Sequence, residues 1–293
     1  MANEKHMSSQ DVYNMSTWVE DNKSSFKPPV CNQLMYGKGQ LKVMFVGGPN
    51  SRKDYHIEEG EELFYMLKGD MCLKIKERGQ PKDIIIKEGQ VFVLPSRIPH
   101  SPQRMENTIG LVIERERLEE ESDGLRYYCE DGVTVLFEKW FRCSDLVKDL
   151  PPIIKEYMQS DQFKTGKPIP GTISETPPVK IDTTTEVHKP FGLADWIDSN
   201  KKEIQPSGTK ELFSKGEFKV TAYGGGKFDH ENEGETFLWQ TEGECLLKLE
   251  SEQRKLKAGD VTLVPAGKKF TIERQDNSIG LTINMDPMAA KSK

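Results

Sequence analysis

The chain has 293 residues, room for one large domain or two ordinary ones, and it is 35% hydrophobic and 30% charged with both signs mixed, the balance of a protein that buries a core. The formal net charge is −6, and the basic runs KERGQPK and KKF are short, which argues against nucleic acid as a partner. No stretch approaches the ~18 apolar residues of a membrane span, the N-terminus lacks the apolar core of a signal peptide, and Cys31, Cys72, Cys129, Cys143 and Cys245 form no C-x-x-C pair. A soluble, cytoplasmic protein with reduced thiols and no thiolate metal site is therefore expected.

In chain order, MSTWVEDNKSSF carries apolar residues at helical spacing. LFYMLKG, MCLKIKE, DIIIKEG, VFVLPS and IGLVIE follow, short, rich in β-branched and aromatic residues and punctuated by Gly and Pro; each predicts a strand. SDLVKDLPPIIKEYMQS returns to helical spacing. From about Thr165 to Val187 the chain is rich in Pro, Gly and Thr without periodicity and reads as a linker over 170–186. GLADWIDSNKKEI is again helical, and a second run of strand-like segments closes the chain. The expected fold is mainly β, with tandem jelly-roll domains over 1–169 and 187–293 and a few flanking helices. His6, in the polar terminus, and His188, after the linker, are expected to be incidental.

The strand-rich halves repeat one another. His56 matches His230, Gly60 Gly234, Glu61 Glu235, Gly69 Gly243, Gly89 Gly259, Pro95 Pro265 and Asn107 Asn277. The second copy keeps these scaffold positions but has Thr236 where the first has Glu62, and Phe270 where the first has His100. A fold needs glycine at strained turns and apolar residues in strands; it does not need that glutamate and that histidine. Glu62 and His100 are therefore expected to do chemistry in the first copy, and the second copy to be free of metal.

Two imidazoles and one carboxylate can hold one face of a non-haem iron(II) and leave positions open for O2 and substrate. His56, Glu62 and His100 are the expected ligands, since antiparallel pairing can bring all three to one mouth of the sandwich. Other readings of the same residues are a different metal-dependent enzyme, such as a thiol dioxygenase or a sugar-phosphate isomerase, or a non-enzymatic protein that stores or senses a small ligand.

The first copy resembles the cupins, whose motifs have the forms G-x5-H-x-H-x3/4-E-x6-G and P-x-G-x2-H-x3-N. Here they appear as His56-x-Glu58-x3-Glu62-x6-Gly69 and Pro95-x-Arg97-x2-His100-x3-Arg104, with Glu58 for the second histidine, Arg97 for glycine and Arg104 for asparagine. The strings PPVCNQLM, LKVMFVGGPNSRKDYHIEEGEELFY, LPSRIPHSPQR, DGLRYY, VLFEKWF and TGKPIP closely resemble the animal 3-hydroxyanthranilate dioxygenase family over most of residues 12–170, and more weakly beyond. The resemblance implies Fe(II) as cofactor, 3-hydroxyanthranilate and O2 as small-molecule substrates, and ring opening as the reaction. Its product would be 2-amino-3-carboxymuconate semialdehyde, which leads to quinolinate and NAD. It further implies that Arg52 and Arg104 meet the substrate carboxylate, with Arg52 near O2, and that Glu114 accepts hydrogen bonds from the substrate and helps remove a proton. Asn32 is expected to hydrogen-bond the same ligand, Phe64 and Pro102 to wall the pocket, and Arg97 and Arg126 to be structural. Two copies in one chain imitate a dimer of single cupins, so a monomer is expected.

Overall fold

The computed structural model describes residues 12–27, 31–50, 52–250 and 252–291; His6 lies outside them. The chain is mainly β, built of four sheets with few helices. The segments expected to be helical are so, over Met15–Asp21, Leu146–Gln159 and Leu193–Ile204. Contacts divide the chain into two compact units: Ser25–Gln33 with Phe45–Gly192, and the remaining described residues.

In the first unit, one sheet runs in the order Val135–Phe141, Asp123–Tyr128, Tyr55–Ile57, His100–Arg104, Met71–Glu77, Gln80–Ile86. Its strand Met71–Glu77 alternates as its sequence does: Met71, Leu73 and Ile75 are buried and Cys72 and Lys74 are not, because successive side chains leave a strand on opposite faces. A second sheet carries Phe191–Gly192, Gln90–Leu94, Glu62–Lys68 and Ile109–Arg115 as successive neighbours. The short strand Tyr55–Ile57 lies between two others, so His56 stands opposite Leu125 on one side and His100 on the other. A one-residue slip of that strand would turn His56 away from the interior and from His100. Helix Leu146–Gln159 packs Ile153 and Tyr157 on Leu125, Tyr127, Leu136 and Phe137, with the Tyr127 and Tyr157 rings stacked 3.5 Å apart.

The stretch expected as a linker, 170–186, has neither helix nor strand, yet it is fastened to the first unit rather than strung free of it. Asp182 N donates to Arg97 O (3.0 Å), Ser174 N to Glu138 Oε1 (3.3 Å) and Val187 N to Glu77 Oε1 (2.9 Å). Arg78 reaches Thr184 O and Glu186, both at 3.2 Å, and Val179 is buried. His188 is also structural rather than incidental: its Nε2 lies 3.0 Å from Val93 O, and its ring sits 4.8 Å from that of Phe92.

The second unit repeats the plan with Gly226–Glu231, Lys269–Arg274, Glu244–Lys248 and Gln253–Lys257 in one sheet. Its interior is filled by Leu238, Leu247, Leu256, Val264, Phe270 and Ile272. Its other sheet runs Tyr13–Asn14, Asp260–Val264, Thr236–Glu242, Ile279–Met285, Phe218–Tyr223, Thr209–Phe213. The N-terminal strand Tyr13–Asn14 thus pairs with Val261 and Asp260, while Phe191–Gly192, just before the second copy, pairs with Val91 and Gln90 in the first unit. The grouping departs from limits of 1–169 and 187–293 because each copy takes an edge strand from the segment preceding the other.

Candidate metal centre

His56, Glu58, Glu62 and His100 converge in the first unit with one ligand atom from each within 4.8 Å of the others, and all four are buried. His56 and Glu58 leave their segment on one face because they are two apart, and Glu62 opens the next strand, paired with Leu94. The left-handed turn before His100 is made at Arg97 (φ 62°), where the cupin motif has glycine, and Arg97 N donates to Glu58 O (2.8 Å). One turn therefore fixes the backbone of two members of the cluster.

Both imidazoles are anchored from behind. His56 Nε2 lies 2.6 Å from Asp123 Oδ2, which leaves Nδ1 for the cluster. His100 Nδ1 lies 3.1 Å from Ile98 O, which leaves Nε2, and that nitrogen is 3.3 Å from Glu62 Oε2. Metal-binding histidines are held in this way, with the outer N–H given to a carboxylate or a carbonyl. Burial by itself would raise the Glu62 carboxyl, but the charge and hydrogen bond of His100 outweigh it and hold Glu62 well below the usual range. The same pairing raises His100 against its burial, whereas burial wins at His56 and lowers it. The donors are nitrogen and oxygen only, a set that suits iron or manganese, so the cluster fits a divalent metal.

A second layer of charge was not foreseen from the sequence. Arg117 sits behind the cluster and contacts Glu58 Oε2 (2.7 Å), Glu114 Oε1 (3.3 Å) and both oxygens of Asp123 (3.1 and 2.9 Å). Its loop is closed by a buried two-point pair, Arg115 to Glu121 at 2.7 and 2.8 Å. Asp123 is pushed up by burial but held down to about 2 by His56 and Arg117. Glu58 and Glu114 go the other way: burial, with Glu62 nearby, outweighs Arg117, placing Glu114 at about 7 and Glu58 well above its usual value. Glu58 showed in the motif as a replaced histidine, on the same face as His56. Arg117 and Asp123 carried no local signal, because only strand register brings them to His56.

Arg104 is buried on the face of its strand that carries His100 and Pro102. Its Nε has no hydrogen-bond partner, and burial lowers its pKa to about 10. Glu114 Oε2 and Glu58 Oε1 are likewise buried without partners. Buried polar atoms are almost always satisfied, so these three orphans, one of them on a member of the cluster, are groups that a bound metal or polar ligand would satisfy. Phe64, fully buried, shares the face of Glu62. Arg52 lies near enough for its charge to act on His100 and Arg104, while neither it nor Asn32 is a member of the buried cluster. The Arg52 side chain is 27% exposed and paired with Asp54, while its backbone is clasped by the Gln103 amide (3.0 and 3.4 Å). Asn32 is half-buried at the head of strand Asn32–Tyr36, beside Cys31, whose thiol feels the charge of Arg104. Arg126 pairs with Glu138 at 2.6 Å.

The family model of 3-hydroxyanthranilic acid dioxygenase matches residues 7–158 and 186–292. A 3-hydroxyanthranilate 3,4-dioxygenase of Nematostella vectensis is 54% identical, with 94% of this chain and 100% of that protein covered. The Homo sapiens protein of that name is 48% identical, over 94% and 96%. Among solved structures, a cupin 2 conserved barrel domain protein from Leptotrichia buccalis superposes with a TM-score of 0.55 at 11% identity, over 96% of this chain and 99% of that one. Salicylate 1,2-dioxygenase of Pseudoaminobacter salicylatoxidans gives 0.56 at 10%, over 98% and 84%. At such identities the structural likeness establishes the cupin fold.

Proposed function

The chain belongs to the 3-hydroxyanthranilic acid dioxygenase family, and from that premise we propose that it is an Fe(II)-dependent enzyme opening the ring of 3-hydroxyanthranilate with O2. The observation that carries this reading is the buried cluster of His56, Glu58, Glu62 and His100 beside a buried arginine, Arg104, whose Nε has no hydrogen-bond partner among the described residues. His56, Glu62 and His100 would hold the iron, which supplies open positions for O2 and for the adjacent amine and hydroxyl of the substrate.

The chain's own residues then do three things. Arg104 binds the carboxylate as a fork, and its burial strengthens that pairing by removing competing water. Glu114, poised by burial at about 7, is suited to take the hydroxyl proton as the substrate docks, since a base with a pKa near the working pH both receives and releases a proton readily. Phe64 and Pro102 line the same faces as Glu62 and His100 and keep the chamber dry. Arg52 would join by leaving Asp54, bringing a second positive charge towards substrate or O2, with Asn32 as a further hydrogen-bonding group. Both atoms of O2 enter the product, 2-amino-3-carboxymuconate semialdehyde, which closes to quinolinate on the route from tryptophan through kynurenine to NAD. Two copies in one chain imitate a dimer of single cupins, and on that ground the enzyme is read as a monomer; its place is read as the cytosol. Among the described residues, no helix is long and apolar enough to cross a membrane.

The test is direct. Protein loaded anaerobically with Fe(II), then given 3-hydroxyanthranilate and air, is expected to consume O2 and form a transient species absorbing in the near ultraviolet. Iron-loaded protein that leaves the substrate intact would refute the reading.

A further inference from the structure

One guanidinium, that of Arg117, ties together three carboxylates that come from separate segments of the first unit. Its Nη1 lies 3.3 Å from Glu114 Oε1, and its Nη2 lies 2.7 Å from Glu58 Oε2 and 2.9 Å from Asp123 Oδ2. Its Nε is 3.1 Å from Asp123 Oδ1. The loop that carries it is held by other groups: Glu121 receives the Arg115 fork at 2.7 and 2.8 Å and Leu118 N at 2.8 Å. Arg117 Nη1 also donates to Arg115 O (3.3 Å). The Arg117 side chain, 9% exposed, is thereby left to face the three carboxylates.

These contacts divide Glu114 in two. Its Oε1 faces Arg117, while its Oε2 is buried with no hydrogen-bond partner. A cation on one oxygen fixes the plane of a carboxylate and leaves the other oxygen to accept. A general base needs both, a set direction and a free lone pair. The groups whose charges act on Glu114 are Arg117, Glu62, Asp123, Glu58 and Cys143. Arg117 is the cation of the five: burial raises Glu114 to about 7, and Arg117 keeps it from rising further.

The second copy is a control on this arrangement. Pro287 stands there at the position of Arg117, Asn284 at that of Glu114 and Asn232 at that of Glu58. The two asparagines donate to Thr236 Oγ1 at 2.6 and 2.8 Å, in the place of Glu62. Matching strands are therefore built without the arginine or those carboxylates. Arg117 goes with the chemistry of the first copy, not with the scaffold that the copies share.

We infer that Arg117 is a positioning residue for the ring-opening reaction, holding Glu114 by Oε1 so that Oε2 meets the substrate hydroxyl. The inference rests on the activity proposed above. The role calls for arginine, because a fork holds Glu114 on one nitrogen and Asp123 on the other two, whereas the ammonium of lysine is a single point of charge. Displacement of a reacting group by about an ångström costs on the order of a hundredfold in rate, so loss of the fork falls on turnover more than on binding.

The test compares the natural full-length chain with Arg117→Gln, Glu114→Gln and the double variant, each loaded anaerobically with Fe(II) and normalised for bound iron. Arg117→Gln is expected to lower kcat at least about tenfold while KM for 3-hydroxyanthranilate changes less than about threefold. In the Glu114→Gln background the same change is expected to cost less than about threefold in kcat, because the two residues act as one unit. Binding without turnover gives a second readout, by anaerobic calorimetry near pH ~8 in two buffers of different ionisation enthalpy. The natural chain keeps the hydroxyl proton on Glu114; Arg117→Gln, in which Glu114 is already protonated, is expected to release roughly one proton more to buffer. An unchanged kcat overturns the inference, as does a loss that is fully additive with Glu114→Gln or an unchanged proton count. Should Arg117→Gln fail to fold, Arg117→Lys decides, since it keeps the charge without the fork: full kcat in that variant overturns the inference. A natural chain that leaves 3-hydroxyanthranilate intact refutes the proposed activity and this inference with it; the other failures strike the role of Arg117 alone.

Discussion

The guanidinium of Arg104 and the carboxylate of Asp123 are both buried beside the metal cluster, but they act on different partners, and their loss separates. Arg104 has an orphaned nitrogen facing the chamber and supports no ligand ring. Arg104→Gln is expected to raise KM for 3-hydroxyanthranilate by roughly thirtyfold or more, the scale of a truncated buried charge pair at about 2–5 kcal/mol, with iron content unchanged. An unaltered KM in steady-state assays would remove Arg104 from substrate binding. Asp123 touches no chamber; it holds the His56 ring and the Arg117 fork. Asp123→Asn is expected to weaken iron binding about 10–100-fold, as loss of an outer partner does, while the protein stays folded; equilibrium dialysis against a competing chelator measures it, and unchanged affinity would refute the anchoring role. His56, Glu62 and His100 were legible from sequence because the second copy serves as a control on the first. Arg117 and Asp123 were not, since an arginine in an exposed-looking loop and an aspartate in another strand give no pattern until register places them. The pairing of Arg52 with Asp54 was not legible for a related reason: spacing from His56 indicates nearness, but not which partner the side chain takes.

Among the elements, the strands were read well. Segments such as MCLKIKE alternate cleanly, and glycines punctuate their ends. The two-residue strands Tyr13–Asn14 and Phe191–Gly192 were invisible because two residues hold no period. The stretch 170–186 looked like a tether because it lacks periodicity, but periodicity reports regular structure, not attachment. Asp182 is attached through its backbone N–H to Arg97 O, while its carboxylate turns the stretch on itself. Burial pushes its carboxyl up, yet hydrogen bonds from Thr185 and Thr184 hold it at about 2, below the usual range of an aspartate. A carboxyl lowered by folding stabilises the folded chain fully above its unfolded pKa, and that contribution fades as pH falls towards the folded value. The gap in urea midpoint between the natural protein and Asp182→Ala is therefore expected to be widest near pH 5 and to shrink towards pH 2. An equal gap across that range would show that the charge of Asp182 does not hold the strap.

At the scale of the whole molecule, the second copy has Thr236 and Phe270 in place of Glu62 and His100, and chain routing supplies a physical reason for the first copy to depend on it all the same. Residues 34–44 lie in the first copy's sequence but group with the C-terminal unit. Leu41 N donates to Glu235 Oε2 (2.8 Å), Glu235 N to Gln40 Oε1 (2.9 Å) and Gln40 Nε2 to Met285 O (3.1 Å), while Tyr36 packs its ring 6.2 Å from that of Phe237. Tyr13 and Asn14 likewise take their strand partners from Asp260–Val264. A chain ending at Gly192 would keep every proposed iron and substrate residue, and Leu41–Gly47 would keep Ile109–Arg115 as its strand neighbour, yet Tyr13, Asn14, Tyr36 and Gln40 would lose the partners just named. It would uncover Tyr36, which packs on Phe237, and leave Tyr13–Asn14 without its strand neighbour and open to association. Residues 1–192 alone are therefore expected to aggregate or melt well below the full chain, and co-expression with residues 193–293 is expected to restore a soluble, iron-binding complex. A monomeric 1–192 fragment melting within a few degrees of the full chain would show that the second cupin is not needed for the fold. Rescue in trans would show that it is retained as half of a shared scaffold, free to lose its own metal because its strands, not its ligands, are what the first copy requires.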